Sequence, residues 1–574
     1  MSEGILSSIS IIVSILACAS HSLGKEMSAD LVVLNANIIT IDARKPRAEA
    51  LAVKDGRFIA IGTTSEIRQL VGKETKVIDA QGKTVTPGFY DAHMHPGPIY
   101  NYESLHSRVD LSPKSVKTID DVIDALRKKS SITPKGQWVR GSRYQDTKLG
   151  RHPTRWDLDK ASTDHPIRIG HSSGHVSVVN SVVLEMAGIT RDTPDPPGGG
   201  FDRNEDGEPN GVCREGAGSM AARAVPDLPP VTREEKLEGI LRCYNNFLSK
   251  GITSIADASV SPSDIRLYQD ALKAGQPVRI YMMVSHRYFP ELKKLGLRTG
   301  FGSDRLKIGP IKVFHGNSLS GQTCWLYKPY ADRPDYYGIP PARSQEKLDE
   351  LIFEIHKAGF QVAIHSNGDR EIDMVLNAFE KALSKLPREN HRHRIEHCSV
   401  VTPDILERIK DLGIVVALHS YVYEHGDKME AYGEQRWDMM HANGSALKLG
   451  IPVAGNSDYG VSAADPVLRI QSMVTRRTAE GKIYGAKQRI SVEDAIRIWT
   501  LGSAYACFEE EIKGSIETGK LADFVILSDD PTEVPHDSIK DILVEKTLIS
   551  GKVEYEREGV KISDKASKGI NNEN

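Results

Sequence analysis

Short apolar runs alternate with longer amphipathic stretches through the middle of this 574-residue chain. The strand-like runs lie at residues 251–256, 308–314, 361–364, 393–396, 414–418 and 451–454, and helical stretches at 344–358 and 369–386 lie between them. A repeated strand-then-helix order predicts a parallel sheet, and this many repeats favours a closed (β/α)8 TIM barrel in the α/β class. We expect the barrel to span residues 87–514.

Both ends of the chain have a different pattern, with short strand-like runs and few helical stretches. The runs at 48–53 and 57–61 are joined by Lys54-Asp55-Gly56, which is typical of a hairpin turn. Further runs lie at 31–34, 37–40, 522–527 and 547–553. The pattern predicts that 29–86 and 515–557 pair into one small β-sandwich beside the barrel.

Residues 101–210 interrupt the barrel pattern. This stretch is rich in Gly, Pro, Ser and Asp, and it includes the run Pro-Pro-Gly-Gly-Gly at 196–200. We interpret it as an insertion beside the mouth of the barrel.

The first 25 residues resemble a leader. Residues 5–19 are uncharged and mostly apolar, but too few to span a bilayer, and Ala17-Cys18-Ala19 suits signal-peptide cleavage after Ala19. Glu3 and the absence of Lys or Arg before Lys25 disagree, so a frayed apolar extension is the alternative. If the leader is a signal peptide, the protein is expected to be exported and to be periplasmic, secreted or lipid-anchored. Otherwise it is expected to be cytoplasmic.

Charge and cysteine content exclude several classes of function. The chain has 74 Lys and Arg against 77 Asp and Glu, a net charge of −3, which argues against nucleic acid or an anionic membrane as the main partner. The six cysteines are far apart with no CxxC pair, so neither a disulfide framework nor a zinc knuckle is expected. No other stretch is expected to span a membrane stably.

Histidines and one aspartate mark the ends of several predicted strands. His93 and His95 are two residues apart, so on a strand both imidazoles point to one face and can reach one metal. Alone, this pair is also compatible with two surface histidines. His365, His397 and Asp458 each follow another strand-like run. Because catalytic groups of barrels lie at the C-terminal strand ends, we expect these side chains to share one pocket.

Three longer motifs make a family resemblance specific. The segments at 86–95, 456–458 and 514–523 resemble the amidohydrolase superfamily of metal-dependent hydrolases. Finer features at 174–180, 211–215, 312–323 and 365–369 are similar to the branch that contains N-substituted formamide deformylase. Where many members have Asp-Gly after the strand that corresponds to the run at 308–314, this chain has Gly316-Asn317.

The resemblance implies a set of metal ligands, namely His93, His95, Lys312, His365, His397 and Asp458. In many members the lysine is carboxylated and bridges two metals, whereas an ordinary lysine paired with a carboxylate is the alternative. The expected cofactor is one or two divalent ions, zinc first, with manganese, iron and cobalt open.

The implied reaction is hydrolysis of a non-peptide amide C–N bond, of the N-substituted formamide or N-acyl type, by metal-activated hydroxide. Asp458 would accept the proton of the attacking water and pass it to the leaving nitrogen. His171, His175 and Glu215 are expected to bind the substrate, although helix capping and a salt bridge are structural alternatives for them.

Two other functions stay open. The same fold supports a deaminase or a cyclic-amide hydrolase, and loss of catalysis would leave a metal-binding regulatory protein. The expected partner is a small-molecule amide, and homo-oligomer formation is undecided by the sequence.

Overall fold

A computed structural model of the protein describes residues 28–419, 421–559 and 564–566. The expected leader at 1–25 lies outside these described residues. Within them, no helix combines the length and apolar character that a membrane crossing requires.

Eight parallel strands form the central sheet, each pairing with the next in chain order. We number these barrel strands one to eight: Phe89–Met94, Ile252–Val260, Arg279–Ser285, Leu306–Phe314, Val362–Ser366, Arg394–His397, Val415–His419 and Val453–Asn456. The expectation of a TIM barrel is confirmed.

Hydrogen bonds beyond the ends of strands one and eight bring these two strands together. The Asp458 backbone N–H donates to the His93 carbonyl at 3.0 Å, and the His95 N–H donates to the Tyr459 carbonyl at 3.0 Å. The Asp91 carboxylate accepts from the Ser457 backbone N–H at 3.1 Å. The first and last barrel strands are therefore joined at the mouth, where Asp458 and the histidine pair lie.

Helices pack around the outside of the barrel and bury their apolar faces against it. The longest alternate with the strands, as in Gln345–Lys357 and Asp369–Lys385, whose Ile352 and Ile372 are fully buried. The others in this layer are Arg233–Leu248, Pro262–Lys273, Phe289–Lys294, Pro403–Asp411, Asn443–Leu449, Pro466–Thr475, Val492–Arg497, Ile498–Gly502 and Ser503–Ala506.

Two further sheets combine both ends of the chain. In spatial order, one contains Asp564–Ala566, Lys76–Asp79, Leu31–Leu34, Ala50–Lys54 and Arg57–Gly62. The other contains Lys552–Glu556, Val544–Ile549, Phe524–Leu527, Thr84–Pro87, Asn37–Ile39 and Arg47–Ala48. Phe58 and Phe524 share the apolar core between them. This is the small β-sandwich.

The segment between barrel strands one and two contains a mixed six-stranded sheet of its own. Its spatial order is Gly199–Arg203, Pro209–Glu215, Val176–Val179, Ile167–His171, Val139–Tyr144 and Val109–Asp110. Its helices are Ile119–Ser130, Asp146–Leu149, Arg155–Asp159, Ser181–Ala187 and Gly216–Ala222. The folded unit thus continues past residue 210, the end expected from composition.

Short helical segments complete the described residues. Three lie in the loops that follow barrel strands three and seven, namely His286–Tyr288, Val422–His425 and Gly426–Tyr432. The remaining ones are Thr64–Arg68, Glu434–Trp437, Ala486–Gln488 and His536–Asp541. Five cysteines, Cys213, Cys243, Cys324, Cys398 and Cys507, are buried free thiols.

A buried ion pair joins the barrel to the sandwich. Arg279, at the start of barrel strand three, contacts the Asp523 carboxylate through Nε at 2.6 Å and Nη2 at 2.9 Å. Both side chains are almost fully buried, at 1% and 4% exposure. Removing Asp523 would leave the buried Arg279 with the more exposed Asp304, 3.1 Å from Nη1, as its remaining carboxylate partner.

We therefore expect Asp523→Ala to destabilise the protein by about 3–5 kcal/mol, measured as a lowered thermal unfolding midpoint. Asp164→Ala is the matched control, because Asp164 and its partner Lys135 are 56% and 81% exposed and exposed pairs contribute little. Equal midpoints for the two variants would contradict a stabilising role for the Arg279–Asp523 pair.

Candidate metal centre

Four imidazoles meet at the C-terminal mouth of the barrel. The His93 ring centroid lies 5.3 Å from that of His95 and 4.8 Å from that of His397, and the His397 ring lies 4.5 Å from His365. These residues come from strands one, five and six. The structure therefore brings together all the histidines that the sequence suggested as ligands.

Hydrogen bonds fix the orientation of the His93 and His95 rings. His93 Nδ1 lies 2.5 Å from a Glu396 carboxylate oxygen, and Arg394 donates to both oxygens of the same carboxylate at 2.8 Å. His95 Nδ1 lies 2.9 Å from the Ala258 carbonyl oxygen. Because each Nδ1 carries the donated proton, each Nε2 offers a lone pair, the arrangement expected of metal-ligating histidines.

Asp458 lies directly after barrel strand eight, among these imidazoles. Its Oδ1 is 3.4 Å from His95 Nε2 and 3.8 Å from His93 Nε2. Burial alone would raise the pKa of the Asp458 carboxyl, but the neighbouring His95, His419 and His93 hold it well below its usual range. Asp458 is therefore an anion at neutral pH.

Two residues of the cluster have strained backbones. His397 has φ of 73° and Asp458 has φ of 50°, in the left-handed region that residues other than glycine seldom adopt. Both lie where a strand ends, so the strain turns their side chains into the mouth of the barrel. Strain of this kind is concentrated at functional sites.

His419, which the sequence reasoning missed, also belongs to this cluster. It ends barrel strand seven, its ring stacks on His397 with centroids 4.3 Å apart, and its Nε2 lies 3.8 Å from Asp458 Oδ2. The signal that identified His365 was present here too, because His419 closes an apolar strand-like run.

The donor set fits a divalent metal. Potential ligand atoms of His93, His95 and Asp458 lie within 4.8 Å of one another, and so do those of His397, His419 and Asp458. Asp458 Oδ1 and the Nδ1 atoms of His397 and His419 are buried without a hydrogen-bond partner. Unsatisfied buried nitrogen and oxygen atoms are costly, and imidazole with carboxylate suits zinc and related metals. A shared Asp458 makes two adjacent metal positions compatible with this geometry.

Lys312 approaches the cluster from barrel strand four. Its Nζ lies 3.3 Å from His93 Nε2 and 4.9 Å from the Phe314 ring centroid, and the side chain is fully buried. Burial lowers its pKa to about 8. Among the described residues, no carboxylate forms an ion pair with Lys312. The alternative, a lysine that simply pairs with a carboxylate, therefore lacks its carboxylate there.

His365 is constrained by the loop after strand four. Its Nε2 donates to the Asn317 carbonyl at 3.0 Å, which leaves Nδ1 as the atom able to bind a metal. Gly316, which precedes Asn317, has φ of 99°, and a Cβ there would lie 2.4 Å from the Glu371 carboxyl carbon. A side chain at position 316 would therefore displace the Glu371 carboxylate.

A small cavity of about 20 Å³ lies at the proposed metal ligands. Of the three residues expected to bind the substrate, His175 lines it. Its ring stacks on His365 at 5.1 Å, and its Nδ1 donates to Glu215 at 2.7 Å. His171 instead contacts Asp146 at 3.0 Å and Ser173 at 2.8 Å. Glu215 and His171 thus lie behind the cavity wall and hold His175 and Ser173 in place.

Comparisons with known proteins agree with this geometry. The amidohydrolase family model matches residues 76–555. The chain belongs to the amidohydrolase family. This amidohydrolase is 30% identical over 535 residues to the Bacillus subtilis protein YtcJ, covering 91% of this chain and 98% of YtcJ. It is 29% identical over 542 residues to the N-substituted formamide deformylase of Arthrobacter pascens, covering 92% and 99% of the two chains.

A solved structure shares the fold of this amidohydrolase. An uncharacterized metal-dependent hydrolase from Pyrococcus horikoshii OT3 matches with a TM-score of 0.68 at 26% identity, over 88% of this chain and 99% of the other. The protein is therefore a metal-dependent hydrolase of the amidohydrolase superfamily that acts on carbon–nitrogen bonds. The metal's identity and each residue's part in holding it remain predictions.

Proposed function

We propose that this amidohydrolase cleaves non-peptide amide C–N bonds in small molecules, of the N-substituted formamide or N-acyl type. The observation that carries the proposal is the cluster of orphaned imidazole nitrogens around Asp458 at the barrel mouth. The likeness to a formamide deformylase over nearly the whole of both chains supports this substrate class.

The proposed ligands are His93, His95, His365, His397, His419, Asp458 and Lys312. A divalent metal bound there would supply a water of lowered pKa and polarise the substrate carbonyl. Zinc is the first candidate, with manganese, iron and cobalt as alternatives.

Asp458 is the proposed proton carrier of the reaction. Its carboxylate is anionic and has an oxygen without a hydrogen-bond donor, so it can accept the proton of the attacking water. It can then give that proton to the leaving nitrogen. The product leaves as a neutral amine and not as an amide anion, which is a poor leaving group. Both transfers use one carboxylate beside the reacting atoms.

His175 is the proposed substrate-orienting group. Because its Nδ1 donates to Glu215, its Nε2 is directed toward the cavity that His365, His397 and Asp458 also line. Glu215 is itself fixed by the Thr323 hydroxyl, which donates to its second oxygen at 2.5 Å. Burial alone would lower the pKa of His175, but the Glu215 carboxylate raises it above its usual value. The protonated imidazole can then donate its Nε2–H to a substrate oxygen.

The test is a product assay with metal-replete protein. Candidate substrates are an N-substituted formamide, an N-acetyl amino acid, a cyclic ureide and adenine. Equal amounts of formate or acetate and free amine are the expected result. Ammonia without a carboxylate would identify a deaminase, and ring opening a cyclic-amide hydrolase. Metal binding without turnover on any of the four would favour the non-catalytic alternative.

A further inference from the structure

A second, larger cavity of about 340 Å³ lies beside the metal centre. It opens between the loop after barrel strand four, the segment that precedes helix Gln345–Lys357, and Gly198 of the insertion. A Cβ added at Gly198 would lie 3.1 Å from the Ala342 Cβ, so the insertion approaches the barrel closely here. The volume is within the range of small-molecule sites.

The charge of this cavity has one sign. Its lining includes Arg343, Lys347 and His315, and it contains neither Asp nor Glu. Arg343 donates to the Phe314 carbonyl at 3.0 Å and contacts His286 Nε2 at 3.4 Å. Among the described residues no carboxylate pairs with Arg343 or Lys347. The half-buried guanidinium is thus left with unused donors and an uncompensated charge.

His315 adds an unsatisfied donor to the same wall. The side chain is 2% exposed, and neither Nδ1 nor Nε2 has a hydrogen-bond partner. The imidazole carries one N–H when neutral and two when protonated. A buried N–H without an acceptor is costly, and an anionic oxygen would satisfy it.

The cavity adjoins the metal centre at Phe314 and Asn317, which both contact His365. Phe314 lines the cavity, and its ring centroid lies 5.8 Å from that of His365. Asn317 also lines it, while its carbonyl accepts from His365 Nε2. An apolar ring therefore separates the metal ligands from the basic residues. A substrate that reaches from the metal centre into this cavity would pack its methylene groups against this ring, with a polar group at each end.

We propose that this cavity binds a carboxylate at the far end of the substrate, held by Arg343 with His315 and Lys347. The inference rests on the proposed amide hydrolysis and names its substrate class: amides whose nitrogen substituent ends in a carboxylate. A formyl group has only hydrogen on its carbonyl carbon, so in a formamide the carboxylate must belong to the nitrogen substituent. Arginine suits this task because its planar fork matches a carboxylate.

The test compares N-formyl-ω-amino acids of one to five methylenes with N-alkylformamides of equal length, in which a methyl group replaces the carboxylate. For at least one chain length, we expect wild-type kcat/KM to be about ten- to a hundredfold higher for the acid. Arg343→Met should bring this ratio close to one, and Arg343→Lys should lower it partly. Lys357→Met, at the far end of the helix Gln345–Lys357 that follows Arg343, is the control that should keep the wild-type ratio.

Two kinetic results would overturn the inference: a wild-type ratio near or below one at every length, or an unchanged ratio in folded Arg343→Met. If the wild type hydrolyses no amide at all, the proposed function fails and binding alone decides. Calorimetry with glutarate then serves as the readout: binding that Arg343→Met abolishes supports the site, whereas absent or unchanged binding overturns it.

Discussion

Asp458→Asn is expected to lower kcat by about 10²–10⁴-fold while weakening metal binding only modestly. The amide keeps the shape of the carboxylate and one oxygen able to bind metal, but it cannot accept a proton at neutral pH. The carboxylate lies among the proposed ligands, 3.4 Å from His95 Nε2 and 3.8 Å from His419 Nε2. Steady-state kinetics and metal analysis of the same preparation measure both quantities.

The control for this variant is Asp438→Asn, at a surface aspartate that pairs with the exposed Lys487. It should keep wild-type turnover. Turnover close to wild type in folded, metal-loaded Asp458→Asn would remove Asp458 from the proton-transfer steps.

Lys312→Ala is expected to lose about one metal ion per chain together with nearly all activity. The reason is the position of the amine, 3.3 Å from His93 Nε2 and without an ion-pair partner among the described residues. A cation there would repel a metal. Addition of carbon dioxide to the neutral amine releases a proton and leaves an anionic carbamate, which can bridge two ions. Short carboxylic acids such as acetate should restore part of the activity.

Lys307→Ala is the control, because Lys307 lies at the other end of the same strand and pairs with Glu509. The bridging role is wrong if wild-type protein holds a single metal and Lys312→Ala leaves the metal content unchanged. Lys312 would then be a structural or substrate-contacting residue.

The barrel and the sandwich were predictable because their patterns are periodic. Apolar strands alternating with helices such as Asp369–Lys385 specify a parallel sheet with a helical layer. The sheet of the insertion was not predictable, because its strands include Gly199, Gly200 and Pro209, residues that disfavour strands. Pairing with neighbouring strands, which the sequence does not encode locally, overrides that preference.

The metal site was predictable in large part because its residues follow a simple pattern. The interval between His93 and His95 places both on one strand face, and His365 and His397 close strand-like runs. His419 closes such a run as well, so the same rule applied consistently would have included it. By contrast, the sequence could not tell that His175 lines the cavity whereas His171 and Glu215 lie behind it. Those positions depend on how the strands of the insertion pair.

The most direct test of the account is turnover of the full-length protein after chelation, followed through stepwise return of zinc or manganese, with bound metal measured in each sample. The account predicts no turnover in the metal-free protein and recovery in proportion to the metal that rebinds. Full turnover in a preparation shown to contain no metal would contradict it.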